Sequence, residues 1–95
     1  MESPTETILQ EAQRLVEGPK HADYGHALDN YTDVARIWSV ILRTEVTAHQ
    51  AALCMVGLKI AREAFRAKRD NRVDCAGYAE VADKILEEME RRNAR

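Results

Sequence analysis

The sequence predicts an all-α fold, four helices in an up-down arrangement joined by short loops. Three observations predict it. Apolar residues recur at helical spacing in four separate segments. Capping signals introduce most of those segments, and no stretch of useful length alternates apolar and polar residues as a strand would. There is no internal repeat or low-complexity segment to suggest another architecture.

The first helix is introduced by Ser3-Pro4-Thr5-Glu6, which reads as a capping box with proline at the first helical position. Ile8, Leu9, Ala12, Leu15 and Val16 then mark one apolar stripe. Gly18-Pro19 closes it, glycine as a left-handed cap and proline as a block to continuation. Lys20 to Asp29 form a polar connection. The second helix is expected to begin near Asp29 or Asn30, with Asp33 in its first turn. Its stripe is Tyr31, Val34, Ala35, Trp38, Ile41 and Leu42. Thr47 with Gln50 gives a second capping box. The third helix is apolar nearly all round from Ala51 to Leu58, so it is expected to be the most buried. It turns amphipathic at Lys59, Arg62, Glu63 and Arg66. A break at Ala67–Arg69 leads to the fourth helix, capped by Asp70 or Asn71. Val73, Ala76, Val81, Ala82, Ile85, Leu86 and Met89 form its apolar face. Glu87–Arg91 and Glu88–Arg92, at the favourable i,i+4 spacing, make its tail a solvated helix end.

Ninety-five residues make one domain near the small end of what folds alone. The hydrophobic fraction is 45%, but much of it is alanine, so the core should be thin and self-association should contribute. A net charge of −2 supplies no global basic field and argues against duplex nucleic acid as a partner. No apolar run approaches the ~20 residues of a membrane span, which argues against a membrane partner, and no basic leader follows Met1. Cys54 and Cys75 lack metal-ligand spacing and are expected to be small buried hydrophobes in a reducing cytoplasm. Gly57 and Gly77 each sit inside a helix, where glycine costs about 1 kcal/mol relative to alanine. Close helix–helix approach in a homo-oligomer, a dimer or higher, would explain them.

The densest chemistry lies between Lys68 and Asp74. Asp70 and Asp74 share a helix face, and like charges at that spacing need a cation between them. The candidates are a metal ion or the neighbouring Lys59, Lys68, Arg69 and Arg72. A second constellation is the loop His21, Asp23, Tyr24, Gly25 and His26, with Asp29 and Asn30, leading into a helix N-terminus that favours anions. Its plainer reading is a polar turn that caps the second helix. Lys59, Arg62, Glu63 and Arg66 form either a solvated face or a cationic cradle for phosphates. Tyr78 either stacks on a base or closes the core.

Together, Asp23-Tyr24-Gly25-His26, Lys59-x-x-Arg62-Glu63 and Asp70-Asn71-x-x-Asp74-x-Ala-Gly-Tyr78 resemble small phage-encoded helical proteins of undefined function. These in turn are similar to the all-α, MazG-like nucleoside triphosphate pyrophosphohydrolases, over roughly Gln10 to Glu87. Those enzymes hold Mg²⁺ through Glu-Glu-x-x-Glu on one helix and Glu-x-x-Asp on the next, and cleave between the α and β phosphates. Asp74 matches the aspartate of the second motif, Asn71 stands where its glutamate belongs, and only Glu63 remains of the first. The resemblance thus implies Mg²⁺ on Glu63, Asp70 and Asp74, with Glu63 and Asp74 catalytic. It implies phosphate contacts from Lys59, Arg62 and Arg69. Asp23, Tyr24, His26, Asn71 and Tyr78 would face sugar or base. The expected function is nucleotide binding, with hydrolysis of a (deoxy)nucleoside triphosphate to monophosphate and pyrophosphate as its catalytic form. Two alternatives stand beside it, a non-catalytic binder that sequesters a nucleotide such as a cyclic nucleotide, and a helical protein-interaction module. The missing carboxylates on the third helix favour binding over catalysis.

Overall fold

A computed structural model describes residues 6–18 and 25–94. Four helices account for nearly all of them: α1 (Ile8–Val16), α2 (Ala27–Leu42), α3 (Ala48–Phe65) and α4 (Arg69–Asn93). There is no strand among the described residues.

Each helix starts where a side chain or loop satisfies its first amides. Thr7 caps α1 in a box with Gln10, its hydroxyl accepting the Gln10 N–H at 3.1 Å. The expected box at Ser3 lies outside the described residues. Gly18 does not provide a left-handed cap, because the cap is Glu17 with φ −88° and ψ 0°. Thr47 and Gln50 cap α3 as the sequence predicts. The other two starts come earlier than expected. His26, not Asp29 or Asn30, caps α2, and α4 begins at Arg69 after Lys68, with no side-chain cap from Asp70 or Asn71. In their place Glu63 reaches across from α3 and accepts the Lys68 N–H at 2.8 Å.

The long helix α4 is the hub. It packs against all three others, α2 and α3 also pack on each other, and α1 touches α4 alone. This is a three-helix unit with α1 laid along one side rather than a closed four-helix ring. Its smallest extent, 21 Å, is about two helix diameters. Leu28, Ala48, Ala52, Ala82 and Ile85 form the buried cluster. Among the described residues, Ile85 and Val73 are the large side chains fully removed from water. The thin core expected from an alanine-rich composition is what the chain builds.

That thinness overturns three expectations. α3 is buried on one side only, through Ala48, Ala51 and Ala52, while Leu53, Ile60 and Phe65 face solvent. The stripe of α2 loses cover at its C-terminal end, where Ile41 and Leu42 are exposed, and Leu86 and Met89 of α4 are likewise exposed. Cys54 is exposed and Cys75 half-buried, with its Sγ 3.8 Å from the Val56 carbonyl. The tail of α4 is also not merely solvated. Glu88 is buried and bound by Arg91 and Arg92.

Candidate functional site

A cavity of about 600 Å³ opens between α1, the start of α2 and the middle of α4. Leu15 and Val16 come from α1, His26, Asn30 and Tyr31 from α2, and Asp74, Gly77, Tyr78 and Lys84 from α4.

Local conformation explains why α2 enters here. Gly25 adopts φ +78°, a left-handed turn that admits glycine far more readily than any residue with a Cβ. His26 follows, and its Nδ1 accepts the Leu28 N–H at 3.0 Å. That acceptor role requires Nδ1 to be unprotonated. The first turn of α2 is then tied to the far end of α4. Arg92 donates two parallel hydrogen bonds to Asp29, at 2.8 and 3.1 Å, and a third to Glu88 at 2.7 Å. Arg92, then Arg91, holds the Glu88 carboxyl down to about 2. Arg92 likewise lowers Asp29. This clamp fixes one wall of the cavity.

Gly77 of α4 also lines the cavity. A Cβ there would lie 3.7 Å from Val16 Cγ2, ordinary contact distance, so α1 is the element that approaches this glycine. The two phenols Tyr31 and Tyr78 meet inside. Burial, then the neighbouring Tyr78, pushes the Tyr31 hydroxyl up to about 12, so it stays protonated and able to donate at neutral pH. Lys84 is half-buried at the cavity edge and forms no ion pair among the described residues.

The residues singled out from sequence fall into separate groups. His26, Asp74 and Tyr78 line the cavity. Lys59 lies behind Asp74, paired with it at 2.9 Å. Glu63 belongs instead to the α3–α4 junction, where the Lys68 amide and then Arg72 lower its carboxyl. Arg69 is committed to α1, through Glu11 and through the Glu6 carbonyl at 2.7 Å. Asn71 is buried and donates to the Arg66 carbonyl at 3.5 Å, a helix-junction contact rather than a cavity one. Arg62 and Asp70 are exposed, and neither forms an ion pair among the described residues. Asp23 and Tyr24 lie outside the described residues, as does His21.

The carboxylates expected to hold Mg²⁺ are therefore not brought together. No group of three His, Cys, Asp or Glu among the described residues is arranged to hold a metal ion. Asp74 is neutralised by Lys59 and Glu63 by Arg72, so the donor set as placed does not fit the ion. Among the polar lining residues, Tyr31, expected in the core stripe, and Glu17 and Lys84 are not assigned to a site from sequence, whereas Asn30 belongs to the constellation around His26. A signal for Lys84 was present, because Gly77, Val81 and Lys84 share one helix face at i, i+4 and i+7.

The fold and cavity define a small all-α protein with a pocket walled by its first, second and fourth helices. Residues 7–86 match the family described as a domain of unknown function, DUF6378, and the chain belongs to that family. It is 40% identical over 85 residues to the Gene 55 protein of Mycobacterium phage D29, and 39% identical over 88 residues to that of Mycobacterium phage L5. Those matches cover 88% and 90% of this chain but 56% of each relative, so the chain spans a little over half of their length. The kinship with phage-encoded proteins is thus the relationship found. No solved structure matches. Among the described residues no helix is long and apolar enough to cross a membrane.

Proposed function

We propose that the chain is a MazG-like, homo-oligomeric protein of the bacterial host cytoplasm that binds a nucleotide or nucleotide-like phosphate ligand in this cavity without hydrolysing it. The observation that carries the reading is Lys84, a half-buried cation without a carboxylate partner among the described residues, at the edge of a cavity that also holds two phenols. Lys84 is the lining cation that an anionic group would meet, with Glu17 and Asp74 on the same lining. The volume is within the range of small-molecule sites, and apolar walls with a few convergent polar groups are their usual lining. Tyr78 offers a ring for a base, Asn30 an amide for its edge, and the start of α2 lies beside them.

Pyrophosphohydrolysis is the weaker form of the reading. Its metal would have to displace Lys59 from Asp74 and Arg72 from Glu63. The test is a thermal-shift panel of nucleoside mono- and triphosphates and cyclic nucleotides, with and without Mg²⁺, and a pyrophosphate readout beside it. Binding without hydrolysis predicts a raised Tm and no pyrophosphate. Lys84→Met and Tyr78→Ala should each abolish the shift. Pyrophosphate release would replace binding with catalysis, and the absence of any shift would remove the nucleotide.

A further inference from the structure

We infer that the outward face of α3 is a homodimer interface, with two copies packing antiparallel across a two-fold axis. The feature that points there is the row Leu53, Gly57, Ala61 and Phe65, one residue every four along the helix. Residues at this spacing form a continuous ridge on a helix surface. The ridge is bulky at both ends and small in the middle. Reversing it leaves large facing large and small facing small, so a second copy turned end for end is its natural complement. Packing of such rows against each other is the commonest helix–helix class, crossing at about −50°. Gly57 and Ala61 at the crossing point would let the two backbones approach closely.

Three further observations favour a second copy as the occupant. Leu53 is 48%, Ile60 58% and Phe65 92% exposed, so the described residues leave the face uncovered. Cys54, Ala61 and Ala64 between them are exposed as well, so the face is a contiguous apolar patch of the kind that marks an interaction site. Second, the ridge itself carries no charge: Lys59 and Glu63 turn to Asp74 and Arg72 on α4, and the exposed Arg62 and Arg66 lie off the i, i+4 row. Third, nothing among the described residues approaches Gly57. A Cβ there would meet nothing within 4 Å, whereas Gly77 has α1 against it. An interior helix glycine is unfavourable unless something approaches it, and a second copy supplies the approach.

The experiment is sedimentation equilibrium of the full chain from 1 to 100 µM, repeated with Ala61→Glu and Phe65→Glu. Phe65 is so exposed that its replacement cannot unfold the monomer, and helical circular dichroism controls for Ala61→Glu. The native chain should show twice its 10.8 kDa mass. Each variant should lose roughly thirtyfold or more in dimer affinity, the scale of an interface hot spot. A native chain that stays monomeric at 100 µM overturns the inference. So does a dimer that neither variant weakens, since its interface would then lie elsewhere, for example on the apolar end of α2.

Discussion

Replacing Asp74 by asparagine tests whether that carboxylate is a partner for Lys59 or one member of a metal site awaiting its ion. The two groups lie 2.9 Å apart, with 14% of the Lys59 and 25% of the Asp74 side chain exposed. At an effective dielectric near 20 their gross attraction is roughly 6 kcal/mol, from which desolvation takes back most. Exposed pairs are worth below about 1 kcal/mol, and removing one partner of a fully buried pair costs about 3–5 kcal/mol. This pair lies between those limits, so Asp74→Asn should destabilise by about 2 kcal/mol. For a domain of this size that is a fall of roughly 8–16 °C in Tm. Urea unfolding supplies the free energy directly, and a double-mutant cycle with Lys59→Met isolates the coupling, expected at about 1–2 kcal/mol. An ion-free metal site predicts the opposite sign, because removing one of several repelling carboxylates would stabilise the protein. A rise in stability, or a Tm that Mg²⁺ raises in the native chain and not in Asp74→Asn, would refute the pairing.

Three other outcomes follow from single features. Glu88 is held down to about 2 by Arg92 and Arg91, so its pairing contributes above the ordinary carboxylate range and is lost as pH falls from about 4.5 toward 2. Glu88→Gln should therefore unfold more easily than the native chain at pH 6, and the gap in Tm should close as the buffer is taken to pH 2. Gly25→Ala meets no atom within 4 Å, so its cost is the left-handed backbone alone, about 1–2 kcal/mol by urea unfolding. Ile85 is fully buried in a core with one other such large side chain, and Ile85→Ala should cost about 2–5 kcal/mol in the same assay. The total for a domain of this class is about 5–15 kcal/mol, so a fully folded Ile85→Ala variant with an unchanged midpoint would place the core elsewhere.

Helix identity was legible because the apolar period survives in every element, and the Thr47–Gln50 box was legible because both partners are adjacent in sequence. The starts of α2 and α4 were not. His26 took the cap from Asp29 because Asp29 is committed to Arg92, 63 residues away. Asn71 lost the cap of α4 because Glu63 already occupies the Lys68 amide from the preceding helix. Both outcomes depend on tertiary partners that no local pattern encodes. The burial of α3 was misread for a related reason. Apolar composition states what a helix has to cover, and a chain of this length supplies neighbours for only one of its sides. Of the candidate site residues, His26, Asp74 and Tyr78 line one cavity, while Arg69 and Glu63 are held by α1 and Arg72 through partners far off in sequence.

The paired aspartates of α4 thus resolve without a shared cation. Asp70 stands exposed in the first turn, where the free amides of the helix N-terminus favour a negative charge. Asp74, one turn further in, is answered by Lys59 from α3. Each carboxylate has its own compensation, so the spacing that suggested a metal site reflects two independent electrostatic requirements. The same accounting applied to the cavity leaves a different remainder. Asp74 is neutralised from behind, and His26 is engaged at the α2 amide. Lys84 forms no ion pair among the described residues, and the carboxylates of Glu17 and Asp74 line the same cavity. An anion entering there would meet Lys84 without displacing an existing pair, while a metal on Asp74 would first have to break the Lys59 pair. That ordering of costs is the physical ground for preferring a bound phosphate ligand to metal-dependent hydrolysis.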